Sequence, residues 1–308
     1  MNVFSALIII GLLVSSIGLK AQNTEAEKLF NKGFHYLKVD TYKAKTILNE
    51  AISLDSLNPE AFYFRGIAHY KLENYDSALN DFNRAEFLDP SLHLVPVYKG
   101  FAFRQLLNYD SALYQFNKYI QRNPQDTTAY ALVLRGKMRT RMGDFDGAIS
   151  DFERAVNLDP VKESYYYYKF LALFNSKKFE NALIEINKAI DLNPQFYGYY
   201  LFKGNTYHEM NKHPEAVVQY SMAIDLNDTN GDLYFHRGLS YFDAKKYLKA
   251  IEDFDTAIAY NEAEGAYFFQ RGHAFMAIGK KFEACQDWYR AGGLGYYKDF
   301  DKIKEVCE

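Results

Sequence analysis

Three sets of residues in this 308-residue chain have types that do chemistry elsewhere: seven histidines, two cysteines, and acids and bases paired at a fixed interval. The histidines are His35, His69, His93, His208, His213, His236 and His273. None shows a recognised metal-ligand spacing, and none stands with a cysteine or an acid in a nucleophile–base pattern. They read as solvated or hydrogen-bonded surface groups. Cys285 and Cys307 read either as a possible disulfide, if the chain is exported, or as two free thiols. There is no phosphate-cradling glycine loop, no Gly-x-Ser-x-Gly and no zinc-protease helix. The expectation is a protein that is not an enzyme, with no cofactor and no metal.

The paired charges are more informative. Arg65, Arg135, Arg237 and Arg271 each stand at one and the same interval before an aspartate: Asp81, Asp151, Asp253 and Asp287. Where lysine takes the arginine position (Lys99, Lys169, Lys203), its counterpart is Gln115, Glu185 or Gln219. A planar guanidinium holds a short carboxylate with two parallel hydrogen bonds, whereas an ammonium imposes no such geometry. Four structural ion pairs are therefore expected. They set register more than they add stability, because desolvation offsets most of the attraction.

The elements that position these residues come from an internal repeat. Each of these arginines and lysines precedes one member of a series: Gly33, Gly66, Gly100, Gly136, Phe170, Gly204, Gly238 and Gly272. The members recur at steps of about 34 residues, the length of one helical-hairpin repeat. In the second copy, Glu60 to Leu72 and Tyr75 to Leu88 each place apolar residues on one helical face, and Asp89-Pro90 ends the run. Each unit reads as helix, tight turn, antiparallel helix. Alanines recur at 44, 78, 112, 148, 182, 216, 250 and 284, and again at 51, 85, 155, 189, 223, 257 and 291, with Tyr119 interrupting. Between them stand Leu48, Phe82, Phe116, Phe152, Ile186, Tyr220, Phe254 and Trp288, so small faces large at fixed offsets. Phe170 in the glycine register predicts a local change of pitch. His208, His236 and His273 fall on first helices of consecutive units and are candidates to approach one another.

Gly66, Tyr75, Ala78, Ala85 and Pro90, with equivalents eight times over, resemble the tetratricopeptide repeat family across residues 25–291. Proline at the unit's end is present as Pro90, Pro124, Pro160 and Pro194, and is replaced by Ser56, Asp228 and Glu262. The resemblance implies an all-α, right-handed superhelical solenoid of eight helix-turn-helix repeats. Residues 292–308 read as a C-terminal capping helix, with Gly292 or Gly293 stopping the helix before it. The run Ala284-Cys285-Gln286-Asp287-Trp288 with the late Cys307 looks like the ending of exported bacterial members.

In that family the first helices line a concave groove. Carried over by position, the aromatic candidates are Tyr63, Tyr70, Phe101, Tyr130, Tyr167, Phe174, Phe235, Phe242 and Phe269. The polar candidates are Lys71, Arg104, Lys137, Arg141, Asn175, Asn205, Glu209 and Asp243. Asn205 stands alone of the carboxylate clamp that some members carry, so that activity is not implied.

Net charge is −3, and Lys and Arg are interspersed with acids, which argues against a nucleic-acid partner. Val3 to Leu19 is a 17-residue apolar run, with no charged residue, ahead of Lys20-Ala21. Residues 1–21 read as a secretory leader cleaved after Ala21, with an uncleaved N-terminal anchor as the alternative; membrane contact would come only through this segment. The expected function is an envelope-exported scaffold binding a protein or extended peptide in the groove. The alternatives are a carrier or sensor of cell-wall peptide or glycan on an aromatic groove, and a structural subunit that uses its edges.

Overall fold

The computed structural model describes residues 25–124, 129–296, 298 and 300–308. The leader expected over 1–21 lies outside them. Among the described residues no helix is long and apolar enough to cross a membrane. The chain divides into two compact units, residues 1–124 and 125–308.

The first unit holds three helical hairpins: α1 (Glu25–Tyr36) with α2 (Thr41–Leu54), α3 (Pro59–Lys71) with α4 (Tyr75–Leu88), and α5 (Val95–Gln105) with α6 (Tyr109–Arg122). The second holds five: α7 (Tyr130–Met142) with α8 (Phe145–Leu158), α9 (Glu163–Asn175) with α10 (Phe179–Leu192), α11 (Tyr197–Glu209) with α12 (His213–Leu226), α13 (Gly231–Asp243) with α14 (Tyr247–Tyr260), and α15 (Gly265–Ala277) with α16 (Lys281–Gly293). A short helix, α17 (Phe300–Cys307), packs on α16. Within each unit consecutive helices are spatial neighbours. The hairpin helices are three to four turns long, too short to persist without this packing.

Seven of the eight hairpins close where a glycine of the first helix meets a large side chain of the second. A Cβ built on Gly66 would stand 2.6 Å from Phe82 Cε1, and Gly100, Gly136, Gly204 and Gly238 meet Phe116, Phe152, Tyr220 and Phe254 in the same way. In α15 and α16 the ring is Trp288, whose Nε1 donates to the carbonyl of Phe269 at 3.2 Å. The eight alanines from Ala44 to Ala284 are fully buried. In the α9–α10 hairpin Phe170 replaces the glycine and is itself fully buried, in one cluster with Ala182, Ile186 and Ala189. Its counterpart there is the shorter Ile186, so the bulk has partly changed sides.

The turns also have one construction. Seven residues beyond the glycine register, at or just after the first helix's C-cap, the backbone is left-handed in seven hairpins: Glu73, Leu107, Gly143, Lys177, Asn211, Lys245 and Gly279. The next N–H then reaches back into the first helix, as Asn74 to His69 O at 2.9 Å and Lys246 to Tyr241 O at 2.8 Å. This is a Schellman closure leading straight into the second helix. Five of those seven left-handed residues are not glycine, a conformation that strains L side chains.

Between hairpins, the stop does not depend on proline. The residue that ends the second helix is Asp55, Asp89, Asn123, Asp159, Asn193, Asn227 or Asn261, in extended or neighbouring backbone conformation. Several of these accept a nearby downstream N–H, as Leu57 to Asp55 Oδ1 at 3.0 Å and Ser91 to Asp89 Oδ1 at 2.8 Å. This Asx turn explains why Ser56, Asp228 and Glu262 can stand where proline stands elsewhere.

At the C-terminal end the stop differs from the sequence expectation. Gly292 and Gly293 are helical, and Gly295 is the left-handed residue, at φ +86°. Tyr296 N–H reaches back to Ala291 O at 3.0 Å, so the closure completes later than the first glycine allows. Helix α17 places Ile303 in a cluster with Phe268, Phe269 and Trp288, covering the last apolar face. Cys285 and Cys307 are bonded to each other.

Two measurements probe this frame. Gly66→Ala drives a methyl into the Phe82 ring, and urea denaturation should show a loss of about 1–3 kcal/mol. Reducing the Cys285–Cys307 bond frees a loop that costs on the order of 3 kcal/mol to close. The α15–α17 amides should then lose hydrogen-exchange protection before those of α7–α10 do.

Candidate functional site: the exposed face of the first helices

The charged pairs come first, because they decide which polar groups remain for a partner. Arg65 donates to both carboxylate oxygens of Asp81, through Nε at 2.8 Å and a terminal nitrogen at 2.6 Å. Arg237 holds Asp253 at 2.9 and 2.7 Å, and Arg271 holds Asp287 at 2.7 and 2.7 Å. Arg135 grips Asp151 with the same fork, and Arg139 adds a third bond to Asp151 at 2.8 Å. All four aspartates are buried. Burial pushes the Asp253 carboxyl above its ordinary value, against the hydrogen bonds and charge of Arg237.

The remaining guanidinium nitrogen reaches the other way. It donates to Asn49 from Arg65, to Ser221 from Arg237 and to Asp255 from Arg271, at 3.0, 3.0 and 2.6 Å. Each partner lies on the second helix of the preceding hairpin. One arginine thus joins three helices, a feature that pairing within a unit does not reveal. Lys169 makes the same reach with an ammonium, to Glu153 at 3.6 Å and Glu185 at 3.3 Å.

The lysine hairpins close less completely. Gln115 Oε1, Glu185 Oε2 and Gln219 Oε1 are buried without a hydrogen-bond partner among the described residues. These are the groups opposite Lys99, Lys169 and Lys203. Lys99 turns instead to Glu86 at 3.1 Å, which Lys118 and Arg122 also hold, at 2.7 and 3.0 Å. Burial raises the Glu86 carboxyl, but the hydrogen bonds of Lys118 and Lys99 outweigh it and keep the group below its ordinary value.

The groove candidates divide by burial. Tyr63, Phe101 and Phe269 are core residues, which corrects their assignment to a partner-binding surface. Tyr63 packs between Phe64, Phe82 and Tyr98; Phe101 contacts Tyr70, Tyr98 and Phe116; Phe269 contacts His273 and Tyr296. In each case neighbouring elements cover the ring. Tyr70, Arg104, Tyr130, Lys137, Tyr167, Phe174, Asn205, Phe235 and Phe242 are half-buried. Tyr167 lies against Tyr168, Tyr199 and Phe202, and burial pushes its hydroxyl up to about 12. Phe174 meets Phe170 and Phe179, Phe235 meets Phe254 and Tyr267, and Phe242 meets Tyr247. Lys137 sits 3.7 Å above the Tyr168 ring, and Asn205 accepts from the Tyr220 hydroxyl at 2.8 Å. Lys71 is exposed, but its ammonium donates to the Leu37 carbonyl at 2.7 Å.

One position near the end of the first helix is exposed in every hairpin: Lys38, Lys71, Gln105, Arg141, Asn175, Glu209, Asp243 and Ala277. Each stands at the same offset beyond the glycine register. Within the second unit this row changes from basic Arg141 through neutral Asn175 to acidic Glu209 and Asp243. Sequence reasoning placed Lys71, Arg141, Asn175, Glu209 and Asp243 at this register position, and the structure adds that the position is exposed in each hairpin.

His208, His236 and His273 do not gather into one cluster. His236 stacks on Tyr220, His273 lies between Phe269 and Trp288, and His208 lies beside His213 and Asp243. Burial pushes His208 and His236 below the ordinary histidine value.

Asp151→Ala removes the buried carboxylate that Arg135 and Arg139 share, leaving Arg139 the exposed Asp144 at 3.3 Å, and urea denaturation should show a loss of about 3–5 kcal/mol. The converse change, Lys203→Arg with Gln219→Asp, gives the buried acceptor a partner. It should raise the unfolding free energy read from urea denaturation, by about 1–3 kcal/mol if the whole penalty is relieved.

Models of the tetratricopeptide repeat match residues 59–92, 133–195 and 231–264, and a further repeat model, described as TPR repeat, matches 204–244. Human sperm-associated antigen 1 is 39% identical over 75 residues, which are 24% of this chain and 8% of that protein. Among solved structures, a tetratricopeptide repeat protein from Parabacteroides merdae aligns over 81% of this chain and 97% of its own, at 19% identity and a TM-score of 0.61. MamA from Desulfovibrio magneticus aligns over 56% and 97%, at 17% identity and 0.52. At such identities these two structures speak for the fold. With the glycine–ring interlock, the alanine ladder and the hairpin repeat already in place, the chain belongs to the tetratricopeptide repeat family of protein-interaction scaffolds.

Proposed function

We propose that this protein is a non-enzymatic adaptor, exported to the bacterial envelope, that binds an extended protein segment along the exposed face of its first helices. The observation that carries this reading is one register position, held by Lys38, Lys71 and Gln105 in the first unit and by Arg141, Asn175, Glu209, Asp243 and Ala277 in the second. It is exposed in all eight hairpins, while the neighbouring aromatic positions are largely consumed by packing. Fold contacts hold the rings, so the row is what remains to differ from hairpin to hairpin.

The chemistry of the row describes the segment. In the second unit a partner would set acidic side chains near Arg141 and basic ones near Glu209 and Asp243. The half-buried Tyr167, Phe174, Phe235 and Phe242 supply apolar floor between them. Export is supported by the apolar run Val3–Leu19 and by the disulfide, since such bonds persist in oxidising compartments.

Crosslinking of the native envelope fraction followed by mass spectrometry should recover a protein partner, together with a mature chain beginning at Gln22. Glu209→Lys with Asp243→Lys should then weaken that partner at least tenfold in the presence of EDTA, without lowering the melting temperature. Undiminished protein binding would reject the groove reading. Binding of purified cell-wall glycan instead of a protein would favour the carrier alternative.

A further inference from the structure

One cluster of donors includes two histidines that the partner-binding reading does not use, beside Asp243, which it does. His208 is the penultimate residue of α11, His213 the first of α12 and Asp243 the last of α13. One ligand atom from each lies within 4.8 Å of the others. His208 Nε2 stands 3.5 Å from Asp243 Oδ2, and its other ring nitrogen is 3.0 Å from the hydroxyl of the fully buried Ser240. A histidine tethered at one nitrogen with the other aimed at a carboxylate is oriented as outer partners orient a metal-bound imidazole.

The second observation is independent of that geometry. His213 Nδ1 is buried and has no hydrogen-bond partner among the described residues. A nitrogen withdrawn from water without a partner calls for an explanation, and an ion is one. The two imidazole rings stand edge to face with centroids 5.3 Å apart. In a tetrahedral site with bonds of about 2.0–2.1 Å, donors lie about 3.3 Å apart. The His208–Asp243 edge is already close to this length, and the other edges close with roughly 1.5 Å of side-chain movement.

We propose that His208, His213 and Asp243 form a binding site for a first-row divalent cation of the zinc class, fastening the sixth hairpin to the seventh. Two imidazoles and one carboxylate suit zinc, nickel or copper rather than calcium or magnesium, which favour all-oxygen sets. Three protein ligands leave a further position for water or a partner's donor. No local motif announces the site, because Asp243 lies almost a full repeat beyond His213 in sequence and comes alongside only through the stacking of hairpins.

The proposal does not rest on the adaptor reading, and it is tested with zinc chloride alone. Isothermal titration of the full chain without a polyhistidine tag should give one equivalent of Zn2+ per chain. His213→Ala and Asp243→Asn should each weaken binding at least tenfold, while His35→Ala leaves it unchanged. Zinc should raise the melting temperature of the native chain but not that of His213→Ala; melts without metal establish that both are folded. Cobalt should give visible d–d absorption that His208→Ala removes. Absence of binding, indifference to these substitutions, a loss with His35→Ala, or displacement of zinc by equimolar magnesium would each overturn the site. Partner binding measured in EDTA reports separately on the groove.

Discussion

The two helices of a hairpin can approach only where one of them has no side chain. At Gly66, Gly136 or Gly238 even a methyl would stand 2.6–2.7 Å from an aromatic carbon, well inside van der Waals contact. That approach seats the ring of the second helix against the backbone of the first and draws the two alanine ladders into burial. Register follows from it, because a ring seated on a glycine cannot slide along the helix without striking a Cβ. The arginine just before the glycine is thereby placed opposite its aspartate on the second helix. The α9–α10 hairpin shows what the constraint tolerates: it moves bulk to Phe170 and seats the shorter Ile186 opposite.

On that frame arginine and lysine are not equivalent. The fork of Arg237 or Arg271 satisfies both oxygens of a buried carboxylate and keeps a nitrogen for the preceding hairpin. Lysine leaves an oxygen of Gln115, Glu185 or Gln219 unmet. These charges serve the stacking of hairpins. Rings such as Tyr63, Phe101 and Phe269 are spent in the same way, as filler between consecutive helices.

Much of the fold was legible because the repeats compare themselves with one another. Glycine at near-constant steps, alanines at fixed offsets and aspartate only opposite arginine are each visible in one sequence. What was missed has a common cause: it depends on side chains that meet across hairpins or at helix ends. The reach of Arg65 to Asn49, the Asx stops at Asp55 and Asn261, and the meeting of His208, His213 and Asp243 belong to stacking or capping geometry. The burial of Tyr63, Phe101 and Phe269 belongs there too, since position on a first helix does not say how far the next helix covers a ring. The stop at Gly295 was missed for a local reason, because Gly292, Gly293 and Gly295 offer several equivalent endings.

The bond between Cys285 and Cys307 alters where such an array can begin to come apart. In a stack held together by nearest-neighbour interfaces, an end hairpin has one neighbour instead of two and is the natural place for fraying. Here α16 and the helix that covers it are one covalent loop, so the C-terminal hairpin cannot peel away by shedding its cover. Fraying at that edge must carry the cover with it. The α9–α10 and α11–α12 hairpins, with their unmet buried oxygens, then become the weak seams of the second unit. Held in this way, α16 keeps its cover until the bond between Cys285 and Cys307 is reduced.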